Sequence, residues 1–297
     1  MNTIRTMLAV VGLLLLWDLS PCAAQYIHIG SWNIENLGDP EGQQVPAAIA
    51  QHIQLAGVDV LALQEIWDTD NKPKSMANDK LSKAIAQISR DTGQTWKYRI
   101  FANRTADDVP RHTGVAWNSD RLTIGKVFRI PVTFANEETW KRVPHAVEFS
   151  AGEGRSDFVL IPIHMKSNYR IEGLPAPMEL RRLEAAALNE ALSAVRSHFA
   201  GEKDIIILGD TNCLEQDEPA LAVFRDAFVD LNAEDAVTYD NGYYRNPFDR
   251  ILLSRGQPEG RFAYQYVLRP AKASKHESRL SDHWLVLTAM RELEDDD

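Results

Sequence analysis

Short apolar runs and longer amphipathic stretches are mixed over most of the chain. The strongest apolar run is Ile205-Ile206-Ile207-Leu208, and four bulky side chains in a row predict a central strand that is buried on both faces. Further runs complete a set of predicted strands over residues 26–34, 58–63, 96–101, 114–117, 158–164, 205–208, 249–253 and 284–289.

Amphipathic stretches predict helices over residues 46–56, 78–90 and 177–199. The third is the clearest, because its apolar residues fall on one stripe at helical spacing: Leu180, Leu183, Ala187, Leu188, Leu192, Val195 and Phe199. Gly201 follows it as a stop signal. Residues 136–154 and 235–246 are predicted to be loops. Strands and helices that alternate without a linker favour one α/β domain, which we place at residues 25–291.

The first 24 residues have the pattern of an export signal. Arg5 provides a basic start, an apolar core covers residues 7–17, and small residues follow Cys22 at a cleavage site. We therefore expect a mature chain that begins near Gln25 and is secreted or periplasmic. Two alternatives are an N-terminal membrane anchor, which the short apolar core disfavours, and a lipid on Cys22, which the preceding Pro21 disfavours.

Composition sets further bounds. The chain has 297 residues, 44% hydrophobic and 25% charged, as in an ordinary globular protein. Removal of the signal leaves Cys213 as the single cysteine, so the core must hold the domain without an internal disulfide, and Cys213 is expected to be buried. The net charge of −10 argues against a protein that coats nucleic acid. The acidic residues at 292–297 are predicted to form a solvated tail.

The chemistry of the chain lies where its strands end. After the Ile205–Leu208 run come Gly209, Asp210 and Asn212, and side chains two residues apart on an extended backbone point the same way. A carboxylate and an amide are thus expected to leave the strand together, beside a glycine that lets a ligand approach. A hydrophobic core needs neither group, whereas a metal-activated water or a phosphate could use both.

Other strand ends carry similar groups, each unremarkable alone: Asn33 with Glu35, Glu65, His164 with Lys166, Asp249, and Asp282 with His283. A lone strand-end acid or histidine is usually structural. Carboxylate and amide oxygens with few nitrogen ligands favour Mg²⁺, Mn²⁺ or Ca²⁺ over zinc. The sequence has no cysteine cluster that would support a zinc site.

The ordered set resembles the endonuclease/exonuclease/phosphatase superfamily, whose fold is that of deoxyribonuclease I. The resemblance spans the mature chain through Trp-Asn-Ile at 32–34, Leu-Gln-Glu at 63–65, Gly-Val-Ala-Trp at 114–117, the His164 strand, Gly-Asp-Thr-Asn at 209–212 and Ser-Asp-His at 281–283. It implies a four-layer α/β/β/α sandwich, with two packed mixed β-sheets flanked by helices.

The resemblance also implies roles for matching positions. Metal ligands are expected among Glu65, Asp282, Asn33 and Asp210, with Mg²⁺ as the cofactor and Mn²⁺ or Ca²⁺ as alternatives. Catalytic roles fall on His283, Asp249, Asp210, Asn212 and His164. In these roles Asp249 orients His283, which activates or orients the attacking water together with Asp210, while Asn212 and His164 stabilise the phosphate. Phosphate or substrate contacts are expected from Asn33, Lys166, Asn168 and Arg111.

Relatives act on many phosphoesters, so the fold does not define the substrate. Export and the basic residues near the predicted cleft (Arg104, Arg111, Lys166, Arg170 and Arg245) favour a secreted, monomeric nuclease that acts on DNA, RNA or both without a stable protein partner. A sphingomyelinase-like or small-molecule phosphoesterase is the alternative, and we expect no exposed aromatic run for lipid contact. A non-catalytic binding protein on the same fold is disfavoured because every expected catalytic position is filled.

Overall fold

The computed structural model describes residues 25–70, 72, 75–103, 111–134, 137–138, 140–269 and 280–294. The predicted export signal and Arg104 lie outside these residues. No helix in the described part of the chain has both the length and the apolar character needed to span a membrane.

The described strands, in chain order, are β1 (Tyr26–Leu37), β2 (Val60–Ile66), β3 (Trp96–Phe101), β4 (His112–Asn118), β5 (Thr123–Arg129), β6 (Thr133–Phe134), β7 (Glu137–Glu138), β8 (His145–Ser150), β9 (Asp157–His164), β10 (Ile205–Asp210), β11 (Phe228–Asp230), β12 (Tyr239–Asp240), β13 (Arg245–Asn246), β14 (Asp249–Ser254), β15 (Tyr266–Leu268) and β16 (Leu285–Arg291). The described helices are α1 (Pro46–Ala56), α2 (Asp79–Thr92), α3 (Pro177–His198) and the short α4 (Pro219–Ala222).

Two six-stranded mixed sheets form the centre of the fold. The first has the order β15-β16-β1-β2-β4-β3, and the second has the order β11-β14-β10-β9-β8-β5. Each contains one central parallel pair, β1 with β2 and β9 with β10. The remaining ladders within these sheets are antiparallel. This architecture confirms the predicted α/β/β/α sandwich.

The alternation of side chains along β10 explains the layers. Ile206 and Leu208 point into the apolar cluster between the two sheets. Ile205 and Ile207 point to the opposite face, where they pack with α3 residues such as Leu188. A strand covered on both faces needs a continuous apolar run, which is why this run was such a strong signal.

Helix ends follow the expected local chemistry. The side chain of Asn78 accepts a hydrogen bond from the backbone N–H of Leu81 at 2.9 Å and caps the start of α2. Gly93 ends the same helix with a φ of +71°, in the left-handed region that glycine adopts without steric cost. The helix over 46–56 is observed as predicted, and the one predicted over 177–199 ends at His198.

The two predicted loops contain regular structure. The segment 136–154 includes β8, which pairs with β9 and β5. The segment 235–246 includes the β12–β13 hairpin. Neither segment has a continuous apolar run, because polar residues interrupt β8 (His145-Ala146-Val147-Glu148-Phe149-Ser150) and the hairpin strands are only two residues each.

The acidic tail predicted over residues 292–297 contacts the domain at its first residue, and residues 295–297 lie outside the described residues. The side chain of Glu292 is 3% exposed and forms an ion pair with Arg155. Its backbone N–H donates to the carbonyl of Gln25 at 2.7 Å, and Glu294 forms an isolated β-bridge with Arg155. These backbone contacts join the chain beyond β16 to the domain, so residues 292–294 are not a free tail.

Candidate active site

Three neighbouring strands of the second sheet place three polar side chains in one row. Asp210, the last residue of β10, is in register with His164 on β9 and with Asp249 on β14. The fold stacks the first sheet against this row, and a hydrogen bond from Asn33 on β1 reaches Asp210 across the interface. Residues from distant parts of the chain therefore meet at the ends of the two central parallel pairs.

A buried chain of ionisable side chains lies at the centre of this group. Nδ1 of His283 lies 2.8 Å from Oδ2 of Asp249, whose side chain is fully buried. Nε2 of the same imidazole lies 3.7 Å from Oδ2 of Asp210 and 3.9 Å from Oδ1 of Asp282. Asp249 thus fixes the orientation of the ring, and the opposite nitrogen faces a second carboxylate.

Burial and charge compete at this chain. Burial lowers the pKa of His283, but the carboxylates of Asp249, Asp210 and Asp282 together outweigh it and raise that pKa to about 10. Burial, together with repulsion from Asp249 and Glu65, raises the pKa of Asp210 to about 7, although His283 opposes this shift. In the metal-free protein at neutral pH, His283 and Asp210 are therefore protonated to a greater extent than free histidine and aspartate side chains.

We expect the metal-free protein to lose thermal stability as the pH rises from 6.5 to 10. The pKa of His283 is raised above its ordinary value of 6.5. Its stabilising contribution is therefore complete below pH 6.5 and is lost as the pH rises through the folded-state pKa. The midpoint of thermal unfolding, measured in EDTA across this range, checks this expectation. The Asp249→Asn variant should show a smaller fall, and an equal fall in both proteins would contradict it.

Asn33 bridges the two sheets, with its amide nitrogen facing the carboxylates. Its Nδ2 lies 3.0 Å from Oδ2 of Asp210 and 3.4 Å from Oε1 of Glu65. Its Oδ1 accepts the backbone N–H of Glu35 at 3.0 Å. The predicted role of Asn33 as a metal ligand does not fit this arrangement, because its oxygen is engaged and its nitrogen points inward.

Glu65 has an unusual backbone that turns its carboxylate into the site. It lies in a bulge between β2 and its neighbours and has a φ of +61°. Its Oε2 accepts the backbone N–H of Asn36 at 3.2 Å. Strained backbone of this kind persists where the surrounding structure holds it, and it is concentrated at functional sites.

These carboxylates fit a divalent cation. Asp210, Asp249 and His283 offer candidate ligand atoms within 4.8 Å of one another. Asp249 is already committed to the imidazole, so Asp210 and Glu65 are the better candidate ligands. Asp282, also predicted as a ligand, borders the same cluster, with Oδ1 3.9 Å from Nε2 of His283. Repulsion between Asp210 and Glu65 contributes to the raised pKa of Asp210, and a bound cation would relieve it. Oxygen donors of this type suit Mg²⁺, Mn²⁺ or Ca²⁺.

His164 forms the floor of the site. Its side chain is 2% exposed, and its Nε2 lies 3.4 Å from Oδ2 of Asp210 and 3.8 Å from Oε1 of Glu65. Burial holds its pKa well below the ordinary value, so the ring is neutral at physiological pH. His164 is buried behind the carboxylates of Asp210 and Glu65, so it does not lie at the surface where a phosphate would bind.

The structure does not show the open strand end that was expected at Gly209 and Asn212. A Cβ at Gly209 would lie 2.0 Å from the carbonyl oxygen of Ile163, so this glycine admits the neighbouring strand and not a ligand. The strand ends at Asp210, and Asn212 has a φ of +54°. Oδ1 of Asp210 accepts the backbone N–H of Asn212 at 2.9 Å, while the Asn212 side chain donates to the carbonyl of Met165 at 3.2 Å.

The predicted substrate contacts divide into near and distant groups. Nε of Arg111 lies 3.7 Å from Oε2 of Glu65, with a side chain that is 41% exposed. The ammonium of Lys166 donates to the carbonyls of Ser167 and Tyr169 instead. Nδ2 of Asn168 donates to the carbonyl of Asn212 at 3.0 Å. Arg111 therefore borders the site, whereas Lys166 and Asn168 brace its adjoining loop.

Arg142 is a residue of the site that the sequence patterns did not indicate. Its guanidinium donates to the carbonyl of Met165 at 3.4 Å, and its Nε is buried without a partner. Burial lowers the pKa of Arg142, while the charges of Glu65, Glu184 and Asp210 oppose that shift. The available signal is an arginine just before the buried strand β8, in a segment that the sequence predicts to be a loop. Arg142 brings a positive charge to the acidic cluster.

Cys213 and the β12–β13 hairpin border the site without joining it. Cys213 is fully buried, as predicted, and burial raises the pKa of its thiol to about 12. The hairpin is attached to the site because Tyr239 forms a β-bridge with His283 and packs against its ring, with centroids 4.8 Å apart. Its tip carries Tyr243 and Tyr244, which are 90% and 68% exposed. The expectation of no exposed aromatic run is therefore wrong.

Comparison with solved structures shows the same fold in proteins of low sequence identity. Truncated Caenorhabditis elegans TDP2 is 16% identical with a TM-score of 0.61, over 90% of this chain and 97% of that one. The human Nocturnin catalytic domain with bound sulfate is 17% identical with a TM-score of 0.61, over 92% and 98%. A Bacteroides thetaiotaomicron mannosyl-6-phosphatase is 16% identical with a TM-score of 0.62, over 88% and 98%.

No curated protein matches the chain. The family assignment therefore depends on a sequence profile that covers nearly the whole described domain. The profile of the Endonuclease/Exonuclease/phosphatase family matches residues 30–283, a span that begins within β1 and ends at His283. The chain belongs to the endonuclease/exonuclease/phosphatase family.

Proposed function

We propose that this protein is a divalent-metal-dependent phosphodiester hydrolase that cleaves DNA, RNA or both by in-line attack of water. Its family consists of phosphoesterases, and the substrate is the part that we infer. The observation that carries the proposal is the buried chain from Asp249 through His283 to Asp210, beside the carboxylate of Glu65. Water activation and charge neutralisation are the two tasks that such hydrolysis requires.

The protein's own groups divide the work. Asp249 holds the imidazole of His283, and Nε2 faces the region beside Asp210 where an attacking water would be oriented. Asp210 lies 3.7 Å from Nε2 of His283, so its carboxylate can orient the attacking water beside the imidazole. Glu65 and Asp210 would hold the metal, which neutralises phosphate charge and stabilises the leaving oxygen when bound.

Positive charge at the rim supports an anionic substrate. Arg111 is partly exposed beside Glu65, and the charge of Arg142 lies close to Glu65 and Asp210. Planar guanidinium groups match the geometry of phosphate oxygens. Because the whole chain has a net charge of −10, this positive charge is confined to the site. Such a distribution is expected for an enzyme that binds a phosphodiester at one point.

The hairpin favours nucleic acid over a small phosphoester. Tyr243 and Tyr244 are exposed at the tip, and Arg245 follows them. Exposed aromatic rings next to cationic side chains are suited to stacking of unpaired bases. The same rings could contact lipid, which keeps a sphingomyelinase-like activity as the second candidate. Export of the mature chain is part of the proposal and depends on residues 1–24.

A substrate panel tests the proposal. The purified protein is incubated in Mg²⁺ with single-stranded DNA, plasmid DNA, RNA, sphingomyelin vesicles and bis(p-nitrophenyl) phosphate. We expect cleavage of at least one nucleic acid, and the His283→Ala variant, purified in parallel, controls for contaminating nuclease. Hydrolysis of sphingomyelin with intact nucleic acids would move the assignment to the second candidate. Inertness towards the entire panel would contradict hydrolysis itself.

The hairpin provides a sharper test of substrate class. Replacement of Tyr243 and Tyr244 by alanine should raise the KM for single-stranded DNA roughly tenfold, because stacking contributes about 1–3 kcal/mol per base. The kcat for bis(p-nitrophenyl) phosphate should stay unchanged, and the double phenylalanine variant should retain the parent KM. If the alanine variant loses vesicle binding and keeps its KM for DNA, the tyrosines serve a lipid surface.

A further inference from the structure

A second group of oxygen atoms lies in the segment between β1 and α1. These oxygens surround a depression of about 330 Å³. Its lining residues are Glu35, Asn36, Asp39, Glu41, Gly42, Gln43 and Gln44. None of the proposed catalytic residues lines it, so this depression is separate from the site described above.

Gln44 provides the clearest sign of a ligand. It is only 7% exposed, and its Nε2 donates to the carbonyls of Ile34 at 3.2 Å and Glu35 at 2.6 Å. Two carbonyl acceptors fix the orientation of the amide, so the opposite atom must be the oxygen. That oxygen, Oε1, is buried without a hydrogen-bond partner. An unpaired buried acceptor is costly, and a cation in the depression would satisfy it.

Gly42 keeps the space in front of this oxygen open. A Cβ at position 42 would lie 2.7 Å from Oε1 of Gln44 and 3.1 Å from the backbone oxygen of Asp39. Both oxygens therefore border the volume that a side chain at position 42 would occupy. Oδ1 of Asn36, another buried oxygen without a partner, belongs to the same lining.

The charge of the lining is negative. Glu35, Asp39 and Glu41 supply three carboxylates, and no lysine or arginine is among the lining residues. The ammonium of Lys80 donates to the carbonyl of Gly42, one of the lining residues, at 2.6 Å. Carboxylate, amide and backbone oxygens together are the donors that Ca²⁺ accepts, since it takes six to eight oxygens in a flexible geometry.

We propose that the segment from Glu35 to Gln44 binds a hard divalent cation, with Ca²⁺ as the best match, in a site distinct from the catalytic centre. The two sites are linked through Glu35, whose backbone N–H donates to Oδ1 of Asn33 at 3.0 Å, and through Asn36. Asn36 lines the depression, and its backbone N–H donates to Oε2 of Glu65 at 3.2 Å. A cation that orders this segment would also steady Glu65. The binding proposal itself does not depend on hydrolase activity.

The experiment must separate the two sites. Ca²⁺ is titrated calorimetrically into the full protein carrying Glu65→Gln and Asp210→Asn, which removes the carboxylates proposed for the catalytic metal. We expect one saturable Ca²⁺ site, with a dissociation constant of roughly 10⁻⁴–10⁻³ M, as in extracellular modules. Absence of saturable binding in this protein would overturn the proposal.

Substitutions in the depression then locate the binding. Asp39→Asn with Glu41→Gln should weaken Ca²⁺ binding tenfold or more. The charge-matched control, Glu172→Gln with Asp226→Asn at two exposed positions, should leave it unchanged. Gly42→Ala fills the space without changing charge and should weaken binding as well, with circular dichroism and the unfolding midpoint confirming an intact fold. Equal affinity in the control and the depression variants would refute the location.

Discussion

Replacement of His283 by alanine should lower kcat for phosphodiester hydrolysis by roughly 10²–10⁴-fold, the usual contribution of a positioned acid–base group. The imidazole is held by Asp249 at 2.8 Å and faces Asp210, so no other described histidine has the same pair of carboxylates. Hydrolysis of bis(p-nitrophenyl) phosphate, followed with increasing substrate, separates this loss of kcat from a change in KM.

Two further variants serve as controls for the loss of activity in His283→Ala. His28→Ala changes a half-exposed histidine near the start of β1, far along that strand from Asn33, and should leave kcat unchanged. Asp210→Ala should resemble His283→Ala, because it removes the partner at Nε2. Near-normal hydrolysis by a folded His283→Ala protein would contradict the proposed role of His283 in proton transfer.

Sequence patterns predicted the elements that are buried and long. The run Ile205–Leu208 is apolar on both faces of β10, and α3 has its stripe of apolar residues against that sheet. The opposite case is β5, an edge strand that is largely exposed and therefore lacks an apolar pattern. Burial on both faces gives a strand a continuous apolar run, so β10 was predicted from the sequence whereas the exposed strand β5 was not.

For the site, the sequence indicated which residues take part but not how their side chains are oriented. The acids and histidines at strand ends could be named from the sequence because polar residues there interrupt apolar runs. Their orientations could not: Asn33 presents nitrogen where a metal-ligating oxygen was expected, because Glu35 occupies its oxygen. Arg142 was missed since its relation to Glu65 and Asp210 exists only in the folded protein.

Removal of divalent cations should abolish hydrolysis, with a fall of at least about a hundredfold, since Lewis-acid stabilisation contributes several kcal/mol. Glu65 and Asp210 are carboxylates close enough to repel each other, and without a cation they also repel an anionic substrate. Cleavage of single-stranded DNA and of bis(p-nitrophenyl) phosphate is measured after dialysis against EDTA, and then during titration with Mg²⁺ or Mn²⁺, which should restore activity.

Matched variants show whether this requirement arises at the proposed ligands. Glu65→Gln keeps the shape of the side chain and removes its charge, so it should raise the Mg²⁺ concentration needed for half-maximal activity. Glu172→Gln, the same change at an exposed position, should leave the Mg²⁺ dependence as it is. Full activity in EDTA would show that the cluster works without a metal. The raised pKa values of Asp210 and His283 would then describe the working enzyme, whereas a metal requirement means that bound cation lowers both.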